Sequence, residues 1–344
     1  MITVYSDQHE GHRGAAEPLR GRSVPCFESP ERAVAVLEEI GRRRLGEVIQ
    51  PRRCELDDLL RAHDRRFLEF LQNAWTHWQR EGREGDALPS HWPVGRWRGS
   101  PSESIDGLLG HYAGDACTPI TAGTWSTAMT AAAVALDAAG RVADGAASAF
   151  GLCRPPGHHA GADFYGGYCF LNNAALAALR LLDRGAARVA ILDVDYHHGH
   201  GTQSIFYARN DVLYVSLHCD PRVEYPYYYG YSNERGEGAG AGFNRNFPLA
   251  GGTDGPTYLR ALEAAVRGLS ELSPDGLVVS LGVDTHADDP LANPGFRLRD
   301  EHYLELGRLV ARVAKPTVFI LEGGYAIGSI GRNVVDVLSG FEGA

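Results

Sequence analysis

The segment at residues 189–201 reads VAILDVDYHHGHG and is the most informative part of this chain for its fold. It opens with a short apolar run, which is typical of a buried strand, and closes on acidic and imidazole side chains followed by glycine. Apolar runs of similar length recur at 148–152, 212–218, 277–283 and 317–321. Because segments with helical apolar spacing lie between these runs, the pattern predicts a mostly parallel sheet with helices on both faces.

The rest of the chain supports one large domain. Helical spacing is found at 29–40, 56–75, 124–139, 172–184, 257–270 and 300–313. No internal repeat and no linker interrupts the 344 residues. We therefore expect a single α/β domain over residues 1–344, with a multi-stranded sheet flanked by helices and a functional site at the carboxyl ends of the strands.

Residues 77–121 form a long stretch with little periodicity that is rich in Gly, Pro, Ser and Trp. Loops of this length are usually functional or disordered, and disordered tracts rarely contain several tryptophans. This one contains Trp78, Trp92 and Trp97. We expect an ordered insertion, and because aromatic residues are enriched in interface cores, we expect it to form a homodimer contact.

The composition excludes several classes of protein. The formal net charge of −10 argues against nucleic-acid binding and favours a cationic ligand only weakly, because acidic residues also serve solubility. No apolar run is long enough for a membrane span, and the N-terminus lacks the pattern of a signal peptide. The six cysteines form no C-x-x-C pair, so we expect reduced thiols in a cytoplasmic protein.

Chemically reactive side chains follow each predicted strand from residue 148 onward. The clusters are RPPGHH (154–159), DVDYHHGHG (193–201), HCD (218–220), GVDT (282–285) and EGGY (322–325). In an open α/β sheet, ligands bind outside the carboxyl ends of the strands. Because all five clusters are expected at that one edge, the sequence predicts that they form a common site.

Asp195 and His197 are two residues apart at a strand end, so their side chains can point the same way. A D-x-H pair on its own is usually a solvated strand end. Together with the other clusters, and with Asp284 as a third ligand from another strand, it predicts a divalent metal site. Three protein ligands leave an open position for water, as catalytic Zn²⁺ requires, and Fe²⁺ suits the same ligands.

Two adjacent histidines in a Gly/Pro turn, His158 and His159, have a chemical use beside such a metal. A bound divalent ion lowers the pKa of water to about 7, and a neighbouring imidazole then accepts the proton. Tyr325 follows two glycines, and its phenol can donate to an oxyanion when a carbonyl is attacked. Each residue alone is usually structural, but the combination predicts metal-assisted attack of water on a carbonyl.

Six motifs resemble the signatures of the histone-deacetylase-like enzymes in the arginase/deacetylase superfamily. They are RPPGHHA (154–160), GGYCFLNN (166–173), DVDYHHGHGTQ (193–203), VSLH (215–218), SLGVD (280–284) and EGGY (322–325). The resemblance covers essentially the whole chain and is strongest to the branch of bacterial acetylpolyamine amidohydrolases. It implies zinc-dependent hydrolysis of the acetyl amide of acetylated polyamines such as acetylputrescine, acetylcadaverine and acetylspermidine.

The resemblance also implies roles for individual residues. One Zn²⁺ per subunit is held by the three ligands named above. His159 is the general base and then the general acid, while His158 is an electrostatic partner oriented by Asp193. Tyr325 polarises the amide carbonyl. A structural K⁺ is implied as well, bound by backbone carbonyls around Asp193, Asp195, His197, Ser216 and Leu217.

Substrate recognition is expected from the tunnel and its entrance. By resemblance, Gly167 and Tyr168 line the tunnel, and Glu17 and Asp106 place acidic groups near its entrance. Tyr225 belongs to a tyrosine-rich loop after the strand at 212–218, and we expect it to form the tunnel wall opposite Tyr168. Aromatic faces and carboxylates attract the ammonium groups of a polyamine.

Three other functions have to be weighed against the motifs. A lysine deacylase acting on acetyl-lysine in proteins or peptides uses the same chemistry. An arginase-like ureohydrolase needs a second metal and a D-x-H-x-D spacing that this sequence lacks. A non-catalytic ligand sensor usually loses a metal ligand or the tyrosine, and all of these are present.

One position departs from the pattern of the resembled family. The residue after His-His-Gly is usually Asp, or Asn in the polyamine branch, where it supports the second histidine of the adjacent pair. Here it is His200. Because an imidazole raises the basicity of a neighbouring imidazole less than a carboxylate does, we expect an effect on the pH optimum and none on the reaction class.

Overall fold

The computed structural model describes residues 1–94, 102–292 and 295–344. Within these residues the strands are β1 (Ile2–Val4), β2 (Glu17–Leu19), β3 (Arg22–Val24), β4 (Val48–Ile49), β5 (Ser148–Gly151), β6 (Val189–Asp193), β7 (Val212–Cys219), β8 (Asn244–Leu249), β9 (Gly276–Leu281) and β10 (Thr317–Leu321). The helices are α1 (Pro30–Arg43), α2 (Leu56–Leu59), α3 (Arg65–Arg80), α4 (Ile105–Tyr112), α5 (Thr124–Ala143), α6 (Asn173–Asp183), α7 (His200–Phe206), α8 (Gly255–Leu272), α9 (Asp300–Ala311) and α10 (Ile327–Glu342). None of these helices is long and apolar enough to cross a lipid bilayer.

Eight of these strands form one sheet in the order β4-β1-β5-β10-β9-β6-β7-β8, while β2 and β3 form a separate antiparallel hairpin. Every pairing within the large sheet is parallel. In the sheet β5 and β6 are not neighbours, because β10 and β9, which come later in the chain, lie between them. The predicted α/β fold is confirmed, and four strands followed by reactive side chains become neighbours at the centre of the sheet.

Alternate residues of the central strands pack into two separate cores, one on each face of the sheet. In β6, Val189 and Ile191 belong to one core, whereas Ala190 and Leu192 belong to the other. Residues of α5 and α6 cover the first face, and residues of α8, α9 and α10 cover the second. Because both faces are buried, the central strands are mostly apolar, which explains why the sequence shows them as nearly continuous apolar runs.

The prediction of one continuous helix at 56–75 is wrong, because the segment forms two helices. The chain forms α2, breaks, and starts again as α3 with Asp64 as the capping residue. The ring of His63 lies in the break, where it donates to the carbonyl of Gly161 at 2.8 Å and accepts from the backbone N–H of Asn172 at 3.0 Å. These contacts with a distant segment hold His63 outside a continuous helix.

The expected insertion at 77–121 begins with the last turn of α3 and contains α4. Trp78 packs against the first core and donates its indole N–H to a backbone carbonyl, so it stabilises the insertion itself. Trp92 is 43% exposed. Trp97 lies outside the described residues. The described part of the insertion therefore packs on its own domain, and the homodimer contact stays a prediction.

Candidate active site

Loops after the four central strands bring reactive side chains to one edge of the sheet. They are His158 and His159 after β5, Asp195 and His197 after β6, Asp284 after β9 and Tyr325 after β10. Parallel strands place all of their carboxyl ends at the same edge, which is why these chain segments converge. The convergence expected from the sequence is present for these four clusters, whereas the fifth, at 218–220, contributes no lining residue to the cavity at this edge.

The three predicted metal ligands form a compact cluster. The ligand atoms of Asp195, His197 and Asp284 all lie within 4.8 Å of one another. Nδ1 of His197 is 3.0 Å from Oδ2 of Asp284 and 3.5 Å from Oδ1 of Asp195. Backbone N–H groups hold both carboxylates, with Gly323 donating to Asp195 at 2.8 Å and Tyr196 donating to Asp284 at 2.9 Å. The cluster is thus anchored by the backbone of two strand ends.

This cluster fits a divalent cation. Burial and the adjacent charge of Asp195 raise the pKa of Asp284 to about 7, because two carboxylates are held together away from water. A bound cation would offset that repulsion. Gly323 keeps the space between the carboxylates open, since a Cβ there would lie 2.5 Å from Oδ2 of Asp195 and 2.7 Å from Oδ2 of Asp284.

His158 is surrounded by carboxylates. Its Nδ1 lies 3.0 Å from Oδ2 of Asp193, and its Nε2 lies 3.7 Å from Oδ1 of Asp195. Although burial lowers it, these two charges raise the pKa of His158 to about 10. Glu322, at the end of β10, accepts the backbone N–H groups of Gly157 at 2.6 Å and His158 at 3.1 Å, which fixes the turn. His158 is therefore positioned as a fixed positive charge.

His159, the next residue, has the opposite character. Burial, and then the charge on His158, lower the pKa of His159 well below its usual value, so its ring is neutral. Its Nδ1 lies 3.2 Å from Nδ1 of His200. Gly167 packs directly against the ring, with φ of 53°, and a Cβ there would come within 2.1 Å of the ring carbon Cδ2. Only glycine fits this position.

Tyr325 faces the same space with its hydroxyl protonated. The residue is 8% exposed, and burial raises the pKa of its phenol well above the usual value, so the phenol remains a donor. The backbone N–H of Tyr325 donates to Oδ2 of Asp289 at 2.7 Å. The guanidinium of Arg32 lies 4.7 Å from the ring centroid and donates to the carbonyl of Gly324 at 2.7 Å. The Tyr325 loop is thus held at its backbone and at its ring.

A cavity of about 370 Å³ opens onto these groups. Two of its walls are Tyr168, which donates to Oε1 of Glu17 at 2.7 Å, and Tyr225, which donates to Oδ2 of Asp115 at 3.0 Å. Burial raises the pKa of Glu17 to about 7. His159, His197 and Tyr325 also line this cavity. Gly167, Tyr168 and Tyr225, which were expected in the tunnel, and Glu17, which was expected near its entrance, all line this cavity.

Comparison with known proteins identifies the family. The model of the histone deacetylase domain matches residues 26–341. The chain belongs to the histone deacetylase family. It is 53% identical to acetylpolyamine amidohydrolase 2 of Pseudomonas aeruginosa, over 100% of this chain and 99% of that protein. It is 43% identical to acetylpolyamine amidohydrolase of Mycoplana ramosa, over 100% of both chains.

A solved structure supports the same assignment. The crystal structure of acetylpolyamine aminohydrolase from Burkholderia pseudomallei superposes with a TM-score of 0.94 at 37% identity, and the match covers 99% of this chain and 98% of that one. This histone deacetylase family member is thus a metal-dependent deacetylase, and the resemblance inferred from the motifs is confirmed.

Two acidic residues of this deacetylase site were not recognised from the sequence. Asp115 lines the cavity and accepts the backbone N–H of Gly167 at 2.5 Å, so it fixes the turn that packs on His159. Asp289 holds the Tyr325 loop through its backbone. Neither residue belongs to one of the quoted motifs, and each acts through a contact between loops that are distant in sequence. The sequence contained no signal for them.

Asp106 lies elsewhere in the deacetylase structure. It begins the first turn of α4, where it forms an ion pair with Arg83 at 2.6 Å, and both side chains are over one-third exposed. It is absent from the described residues that line the cavity. The expectation that Asp106 lies near the entrance is not met within a single chain, because the neighbouring Ile105 occupies the buried face of α4 and turns Asp106 outward.

Proposed function

We propose that this enzyme hydrolyses the acetyl amide of acetylated polyamines and releases acetate and a free amine. The observation that carries the proposal is the cavity, which is lined by Glu17, Tyr168 and Tyr225 together with His159 and Tyr325. A polyamine is long, thin and cationic, so it is recognised by carboxylates and aromatic faces. The names of the relatives described above support the same substrate class.

The residues of the site divide the reaction between them. Asp195, His197 and Asp284 would hold a divalent ion, which would supply Lewis acidity for the carbonyl and for water. The neutral ring of His159 takes the proton of the attacking water and later gives a proton to the leaving amine. Tyr325 donates a hydrogen bond to the oxygen on which negative charge develops.

The charged ring of His158, held by Asp193, completes this arrangement. It stabilises negative charge in the site without taking part in proton transfer, because its pKa is raised to about 10. The two histidines therefore differ in role because their surroundings move their pKa values in opposite directions.

The metal is proposed to be one Zn²⁺ per subunit, which two carboxylates and one imidazole suit, with Fe²⁺ as the alternative. A structural K⁺ is proposed nearby, on backbone carbonyls around Asp193, Asp195, His197, Ser216 and Leu217. In support, Asp193 and Ser216 are directly paired between β6 and β7, so their backbones lie side by side. Metal analysis of the purified protein tests both ions.

The proposed substrate is tested by comparing kcat/KM across a panel. We expect acetylputrescine, acetylcadaverine or acetylspermidine to exceed an acetyl-lysine inside a peptide by at least about tenfold, which corresponds to about 1.4 kcal/mol. A neutral acetamide of equal length is the matched control for charge. A peptide substrate that outperforms every acetylpolyamine would establish the alternative, a lysine deacylase.

Glu17→Gln is expected to raise KM for a cationic acetylated amine by about tenfold, with kcat little changed, because one charge-assisted contact is lost. With a pKa of about 7, Glu17 is increasingly protonated below neutral pH. In the parent enzyme we therefore expect KM to rise as the pH falls from 8 to 6. In Glu17→Gln that rise should disappear. Steady-state kinetics across this range measure both effects, and an unchanged pH dependence in the variant would remove Glu17 from substrate binding.

A homodimer through the 77–121 insertion is also proposed. Trp92 and Val94 present exposed apolar surface there, 43% and 82% exposed respectively. We expect sedimentation at micromolar concentration to show a species of twice the chain mass, and Trp92→Ser to shift it towards monomer. Tyr228→Phe, at an exposed position outside the insertion, is the control. A parent protein that sediments only as a monomer would refute the contact.

The cytoplasmic location stays a prediction from the sequence.

A further inference from the structure

A second cavity, of about 420 Å³, lies apart from the substrate cavity. Among the described residues, the two cavities have no lining residue in common. His159 lines the substrate cavity and His200 lines the second one, and the Nδ1 atoms of the two rings are 3.2 Å apart. The volume of the second cavity is within the usual range for small-molecule sites, about 300–1,000 Å³. A ligand in the second cavity therefore does not compete for space with the substrate.

The ring of His200 brings an unpaired nitrogen to this second cavity. The residue is 7% exposed, and Nδ1 is the ring nitrogen that is bonded to His159. Nε2, on the opposite edge of the ring, has no hydrogen-bond partner within residues 1–94, 102–292 and 295–344. Phe164 and Tyr229 stack on the ring, with centroids 5.5 and 5.7 Å away, and so fix its orientation. Because buried polar atoms are normally paired, this nitrogen indicates that the cavity holds a polar ligand.

The lining of the second cavity is both aromatic and acidic. Phe164, Tyr207 and Tyr229 contribute aromatic rings, while Glu234 and Glu237 contribute carboxylates. None of the described residues that line it is Arg or Lys. Carboxylates repel anions, whereas an ammonium group is attracted both by carboxylates and by the faces of aromatic rings. The chemistry of the lining therefore favours an organic cation.

Both carboxylates have oxygens available for a ligand. The hydrogen bonds that fix Glu234 all go to Oε2, from Gln203 and Gly230 at 2.8 Å and from Asn246 at 3.3 Å. Oε1 of Glu234 and the exposed carboxylate of Glu237 have no partner in the described part of the chain. The second cavity thus contains negative charge that the protein itself leaves unpaired.

A metal ion fits this lining less well than an organic cation. Among the described residues, the side-chain groups close enough together to hold a metal lie elsewhere, around Asp195 and around Glu322. Arg235 separates the two glutamates in the chain, but it is exposed and is not among the residues that line the cavity. An organic cation is the ligand that uses the carboxylates and the aromatic rings together.

We propose that the second cavity is a binding site for a primary alkylammonium ion, such as one end of a diamine. The ammonium group donates hydrogen bonds to Glu237 and to Oε1 of Glu234, and the alkyl chain packs against the aromatic rings. The site is independent of the proposed reaction, because none of the residues that line it has a role in that reaction.

Putrescine is the probe for this site, and titration calorimetry on the metal-loaded enzyme is the measurement. A neutral alkyl hydroxamate, added in excess, occupies the substrate cavity, and we expect one equivalent of putrescine to bind in its presence. Glu237→Gln removes one charge at an exposed position and should raise Kd about fivefold. Tyr229→Ser removes one ring that is 50% exposed and should raise Kd about threefold.

Three controls make these changes specific. The uncharged diol 1,4-butanediol has the same chain length as putrescine and should not bind. Glu47→Gln removes an exposed charge elsewhere, and Tyr228→Ser removes the exposed ring that precedes Tyr229 and does not line the cavity. Both control variants should bind putrescine as the parent does. Because all four substitutions are at exposed positions, the unfolding temperatures should match that of the parent.

Two results would overturn the proposal. One is a parent enzyme that binds no putrescine while the hydroxamate is present. The other is an unchanged Kd in Glu237→Gln or in Tyr229→Ser, because these variants locate the bound putrescine even if the hydroxamate leaves the substrate cavity open. If the enzyme cleaves no acetyl amide, the proposed function fails, whereas the calorimetry still decides whether the second cavity binds an alkylammonium ion.

Discussion

Asp284→Ala is expected to abolish turnover and to remove most of the bound metal. Loss of an outer-shell partner of a metal ligand already lowers affinity by about 10–100-fold, and Asp284 is one of three direct ligands in the proposed site. Its carboxylate also accepts the backbone N–H of Tyr196 at 2.9 Å, so the variant loosens the strand end that carries Asp195 and His197. Metal analysis by mass spectrometry and single-substrate kinetics measure both losses.

A matched control makes this result specific. Asp183→Ala removes an exposed carboxylate that pairs with Arg61, and we expect normal metal content and turnover from it. Asp284→Asn is the second variant, because it keeps the shape and the contact with Tyr196 if Asp284→Ala folds poorly. A full equivalent of metal in both Asp284 variants would show that the third ligand lies elsewhere.

Tyr325→Phe is expected to lower kcat by about 10²–10³, the scale for removing one oxyanion donor. The phenol is buried and protonated, and its ring remains packed between Tyr168, at 5.5 Å between centroids, and Arg32. Because the substitution deletes only the donor, KM should change little. Steady-state kinetics on the best substrate of the panel measure kcat and KM separately.

The control for Tyr325→Phe is the same change at an exposed tyrosine. Tyr228 is 79% exposed, and Tyr228→Phe should leave both kcat and KM unchanged. A normal kcat in Tyr325→Phe would remove the hydroxyl from the mechanism. Equal losses in kcat and in metal content would instead point to a disturbed metal cluster.

The sequence determined the fold class and most of the reactive residues, and there is a physical reason for this. Central strands of a parallel sheet are buried on both faces, so they appear as continuous apolar runs. Their carboxyl ends share one edge, so the polar residues that follow them must converge whatever the order of the strands. Asp195, His197 and Asp284 were therefore predictable from the sequence, and their ligand atoms lie within 4.8 Å of one another.

The surroundings of these groups depend on contacts between distant segments and could not be predicted from the sequence. Strand order places β10 and β9 between β5 and β6, which brings Tyr325 and Glu322 next to the His158–His159 turn. Asp115 reaches the cavity from the loop after α4 and Glu17 reaches it from β2, which is far away in the chain. Asp106 was expected near the entrance of the cavity and lies in an outer ion pair.

The neighbours of His200 likewise could not be predicted from the sequence. The sequence identified the residue as a departure from its family, but the stacking of Phe164 and Tyr229 on its ring, and the cavity beyond it, come from three separate segments of the chain. The local periodicity of apolar residues indicates which face of a strand or helix is buried. It does not record which distant loops meet, because that depends on packing between segments whose relative positions the local sequence leaves free.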